Sequence, residues 1–68
     1  MTVDHERIEQ YARGRFDANE LLTWHIDDVE NIVTFFVPTD VSVESFPEEM
    51  GGARVETRTL PRPIAEVQ

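Results

Sequence analysis

Apolar residues return along this chain with two different periods. Between Asp4 and Phe16 the spacing is helical: Ile8, Tyr11, Ala12 and Phe16 share one side, and Glu6, Arg7, Glu9, Gln10 and Arg13 fill the other. This pattern predicts an amphipathic helix over residues 4–16. Thr2 and Asp4 are both suitable N-caps, and Asp4 and Glu6 sit against the positive end of the helix dipole. Gly14 costs roughly 1 kcal/mol relative to Ala inside a helix, which marks it as the fraying end.

Beyond Asp17 the period shortens. Asp17 and Glu20 have capping-box spacing, which would start a second helix through Leu21, Leu22 and Trp24. Against that, Leu22, Trp24 and Ile26 alternate with Thr23 and His25, as in a half-buried strand. The strand reading is preferred, with residues 27–31 as the turn of a hairpin. The run that follows, Glu30 to Pro38, is the centre of the pattern. Ile32, Thr34 and Phe36 lie on one face and Val33, Phe35 and Val37 on the other, so both faces carry bulk. Such a strand needs cover on both sides: the helix on one, a partner subunit or the C-terminal segment on the other.

After Pro38, Val41, Val43 and Phe46 lead into Pro47-Glu48-Glu49-Met50-Gly51-Gly52. Pro at a first helical position, two carboxylates behind it and a Gly stop predict a single helical turn, with Phe46 and Met50 pinned to the core. Residues 54–60 alternate charge with β-branched side chains and read as an exposed edge strand guarded by charges and Pro61. The fold class predicted is α+β: an N-terminal amphipathic helix packed on a small, three-stranded, mainly antiparallel sheet, with a short helical turn before the last strand. Residues 1–60 form one domain and residues 61–68 an extended, proline-containing tail. The link from the central strand to the last is long enough to cross over, which leaves a parallel pairing open.

Charge changes this picture more than composition does. Fourteen acidic residues oppose six basic ones in 68 residues, for a net charge of -8, and all six basic residues are Arg. An acidic, Lys-poor surface fits either a salt-adapted host or acidity that is itself functional. Direct nucleic-acid binding and attachment to anionic membranes are both disfavoured by its sign. There is no Cys, hence no disulfide or thiolate site. The N-terminus lacks the charged and apolar regions of a signal peptide, so a cytoplasmic location is expected. A chain this short buries only about 60% of its unfolded surface. With its two-sided central strand, that predicts a homodimer or an obligate complex with a protein partner.

Candidate chemistry is sparse. His25, Asp27 and Asp28 form the best cluster for a metal or for acid–base work, but zinc sites bring three or four ligands at regular spacing and the other histidine, His5, is remote. Glu48 and Glu49 point about 100° apart on a helix and make no paired-carboxylate site. Ser42 and Ser45 have no nucleophile-elbow context. Gly51-Gly52 is too short for a phosphate-binding loop. Trp24, Tyr11 and the Phe35-Phe36 pair are the aromatic candidates for recognition; the core claims Phe16 and at least one of Phe35 and Phe36, and Trp24 is the one assigned to a surface. With Arg54, Glu56, Arg58 and Arg62 it makes up the predicted partner-binding set, since aromatics and Arg are enriched at binding hot spots.

The outline of helix, strand, long loop and strand in a Cys-free chain of this length resembles the layout of the potato inhibitor I serine-protease inhibitors. The resemblance is one of layout, and none of that family's motif residues maps onto this sequence. The function expected from the residues themselves is a small acidic, non-enzymatic protein-interaction module, a regulator or accessory subunit acting by sheet-edge or helix docking, with no cofactor. Two alternatives stand beside it: an acidic nucleic-acid mimic that inhibits a DNA- or RNA-handling enzyme, and a small metal-binding protein using His25, Asp27 and Asp28.

Overall fold

Asp4 opens the helix. In the computed structural model, which describes residues 3–62, its carboxylate accepts the Arg7 N–H at 3.1 Å. That satisfies one of the amide donors every helix start leaves free. Helix α1 runs His5–Asp17 and buries Ile8 and Ala12 completely. Gly14 lies within it and does not end it. The stop is Asn19, in the left-handed region at φ 66°. Glu20 N–H donates to the Arg15 carbonyl at 2.9 Å and Asn19 N–H to the Phe16 carbonyl at 3.0 Å. This is the pair of bonds that closes a helix around a left-handed residue, usually Gly and here Asn. Residues 17–20 therefore finish the first helix and do not begin a second.

Strand β1 (Thr23–Asp27) and strand β2 (Ile32–Pro38) form the antiparallel hairpin that the alternation predicts. Asp27 Oδ1 shapes its turn, accepting the N–H groups of Val29 (2.9 Å) and Glu30 (3.1 Å). Asn31 then turns the chain at φ 56°.

The second half departs from expectation twice. The sheet has four strands, in the order β1-β2-β4-β3, with β3 at Glu49–Met50 and β4 at Ala53–Leu60. Two of its three pairings are antiparallel, while the longest, β2 with β4 from Ile32↔Arg54 to Pro38↔Leu60, is parallel, as the length of the crossover allowed, so the sheet is mixed. Residues 39–52 carry the chain back to the start of β2, the length of connection that parallel neighbours require. The helical turn also lies earlier than predicted. A 3-10 helix spans Val43–Ser45, started by the Ser42 hydroxyl accepting the Glu44 N–H, while residues 47–51 are not helical. Gly51 and Gly52 are the reason. At φ 57° and 82° they form a two-residue hairpin loop between β3 and β4, a geometry that demands positive φ at both central positions. A Gly-Gly pair read as a helix stop is in fact a strand-reversing turn.

The core lies between α1 and one face of the sheet. Val33, Phe35 and Val37 are fully buried there with Ile8 and Ala12, and Leu21, Phe46 and Ala53 are nearly so. Tyr11, Phe35 and Phe46 meet with ring centroids 5.5–6.2 Å apart, in tilted and edge-on arrangements that favour aromatic contact. Arg15 locks the crossover loop over this cluster: its guanidinium lies 4.0 Å above the Phe46 ring, and it donates to Ser45 Oγ. Its buried Nε is 3.3 Å from Glu20 Oε1, an ion pair that is not aligned as a hydrogen bond.

Candidate functional site

Side chains of paired strand residues point to the same side of a sheet, so the register fixes what each face displays. The helix-covered face shows Trp24 and Ile26 of β1, Val33, Phe35 and Val37 of β2, and Val55, Thr57 and Thr59 of β4. The opposite face carries three successive rungs: Asp27–Ile32–Arg54, His25–Thr34–Glu56 and Thr23–Phe36–Arg58. Leu60, half exposed beside Pro38, continues the apolar line at one end, and Glu49 flanks Arg54 at the other. Ile32, Thr34 and Phe36 are each only partly buried, in contrast to their fully buried neighbours. The result is an apolar line along β2, bordered by Arg54, Glu56 and Arg58 on one flank and by Thr23, His25 and Asp27 on the other.

Of the predicted partner-binding set, Arg54, Glu56 and Arg58 come together on this face. Arg54 Nη2 and Glu56 Oε2 are 3.3 Å apart, an exposed pair across which little energy is stored. Trp24 lies on the other side of the sheet. It packs against the core and meets Phe16 edge-on at 6.5 Å. Phe16, expected in the core, is instead half exposed, in the last turn of α1. Arg62 is engaged within the chain: Nε donates to Asp40 Oδ2 (3.0 Å), Nη1 to Asn19 Oδ1 (2.9 Å) and Nη2 to the Asn19 carbonyl (2.8 Å). It ties the end of β4 to the helix stop and to the turn after β2. The hydrogen bond from Arg62 holds the Asp40 carboxyl below its ordinary 3.8, aided by the nearby positive charge and opposed by partial desolvation. The rest of the expected tail, residues 63–68, lies outside the described residues.

A second feature adjoins the open face. β3 lies opposite only Ala53 and Arg54, and the Val55 N–H donates to the Glu48 carbonyl just before it. Arg54 N–H is directed to Asn31 on the β2 side and Val55 N–H to the β3 side. By alternation the backbone groups of Thr57 and Thr59 face outward, where no strand lies beside them among the described residues.

The metal-type cluster does not assemble. His25 and Asp27 share the outer face of β1, but Asp27 is committed to its turn and Asp28 pairs with His5 Nε2 at 2.6 Å. Among the described residues no group of three or more His, Cys, Asp or Glu side chains is placed to hold a metal ion. An open concavity of about 430 Å³ between α1 and the β3–β4 turn is lined by Arg7, Tyr11, Pro47, Glu49 and Met50, without convergent chemistry. No helix among the described residues is long and apolar enough to cross a membrane.

The sequence-based set lacked Ile32, Thr34 and Phe36, the middle of this surface. Their shared face was legible from alternation. What was missing was the register that sets Arg54, Glu56 and Arg58 beside them. Comparison with protein-family models, characterised proteins and solved structures finds no match.

Proposed function

We propose that this chain is a non-enzymatic protein-interaction module that docks a protein partner on the open face of its sheet, with Ile32, Thr34 and Phe36 as the apolar centre. The observation that carries this reading is the asymmetry of β2. One face is sealed by α1, while the other leaves three partly buried side chains bordered by charges, the arrangement of a small interface with an apolar middle and a polar rim. The outward backbone groups of Thr57 and Thr59 add a place for sheet-edge contact at the same margin. The acidic residues favour this over nucleic-acid mimicry: they are distributed over the helix (Glu6, Glu9, Asp17), the β1–β2 turn (Asp28, Glu30) and the crossover (Asp40, Glu44, Glu48) rather than gathered on one element.

Site-specific photocrosslinking tests the proposal. A benzophenone side chain in place of Thr34 should give a discrete protein adduct in host cells, and the same group in place of exposed Arg13 on α1 should give none. Equal labelling from both positions, or none from position 34, overturns it.

A further inference from the structure

We infer that the occupant of the open face is a second copy of this chain, stacked sheet on sheet about a two-fold axis running along β2. This rests on the docking reading above and names its partner. A two-fold axis parallel to β2 lays β1 of one copy over β4 of the other and keeps the rungs in step. Asp27 then faces Arg54 of the other copy, His25 faces Glu56, and Phe36 and Ile32 meet their own counterparts on the axis. Each flank is the complement of the opposite one, which is the self-matching an isologous interface requires. Aligned sheet packing, rotated by about 30°, preserves these matches near the axis.

Charge argues for the same surface. At net -8 two copies repel each other over most approaches. The open face sets Arg54 and Arg58 against Asp27, Glu56 and marginal Glu49, a balance of -1 against -8 for the whole chain, so two copies meeting there face little of that repulsion. Its size sets the strength. Seven residues of β2 by three to four strands is about 400 Å² per copy. That is small for a permanent dimer and fits a dissociation constant in the micromolar range.

Sedimentation equilibrium of the full chain, over a hundredfold concentration range centred on about 10 µM, tests this. The expected result is a reversible monomer–dimer equilibrium. Phe36→Glu, whose fold is checked by circular dichroism, should weaken it more than about tenfold. Thr23 provides a test of register free of any core position, because it is exposed on β1 and faces Arg58 of the other copy. Thr23→Glu should tighten the dimer about two- to fivefold although it makes the chain more acidic, and Thr23→Lys should loosen it by a similar factor. A chain that stays monomeric throughout overturns the inference, as does a dimer on which both Thr23 variants act alike. If the photocrosslinked adduct at position 34 is a different protein, self-pairing fails while the docking face stands. If position 34 gives no adduct of any kind, both fail.

Discussion

Phe35 and Phe36 are neighbours on one strand and live in different environments. Phe35 is fully buried between Tyr11 and Phe46, under a helix whose Ile8 and Ala12 are equally buried. Phe36 points the other way, partly buried between Thr23 and Arg58 on the face away from the core. The difference teaches how little hydrophobicity alone says about role. Two identical residues, one position apart, serve folding on one face and remain available for recognition on the other, because the strand's period of two sends them to opposite sides.

The largest test of that contrast is a pair of truncations. Phe35→Ala should cost about 3–5 kcal/mol in urea unfolding, close to the whole stability of so small a domain. Phe36→Ala should cost about 1 kcal/mol, since only part of its surface is withdrawn from water. Equal costs would mean that the outer face is already packed, and the docking reading would fall. Next in size is Gly51, which joins the helix to the sealed side of the sheet. Its carbonyl accepts the Asp4 N–H at 2.8 Å, and an added Cβ would lie 3.1 Å from the Asp4 carbonyl oxygen and 3.2 Å from Ile8 Cγ1. With φ at 57°, Gly51→Ala should destabilise by about 2 kcal/mol, read as a lowered unfolding midpoint. Asp4→Ala removes the N-cap and should cost about 1 kcal/mol by the same measurement.

The smallest effect concerns pH. Asp40 is held below 3.8 mainly by the hydrogen bond from Arg62. A depressed folded value means that its stabilisation is complete above the unfolded value and is lost as pH falls through the folded one. The loss therefore comes below about pH 4, and near neutral pH the tether is fully formed. In Arg62→Ala the Asp40 titration, followed by carboxyl carbon chemical shifts, should move up toward 3.8, and the open face should be unchanged. An unmoved titration would show that Arg62 does not hold Asp40 in solution.

Much of the chain could be read before it was folded. The spacing of Ile8, Tyr11 and Ala12 pointed to the helix, Asp4 was one of two caps offered for its start, and the alternation through Trp24, Ile26 and β2 favoured the first hairpin over a second helix, because these signals are local to a handful of neighbouring residues. The two sides of β2 were legible for the same reason. Tertiary structure alone decided the rest. Asn19 stops the helix through a left-handed geometry that many asparagines never adopt. Gly51-Gly52 makes a hairpin only because β3 has β4 to pair with. Arg54, Glu56 and Arg58 border Ile32, Thr34 and Phe36 only because β4 returns in parallel register across a crossover of residues 39–52, and Arg62 is spent on Asn19 and Asp40, 43 and 22 residues away. Periodicity fixes which residues share a face of one strand. Which strands lie side by side is settled by packing across the whole chain, and the candidate surface belongs to that second kind of information.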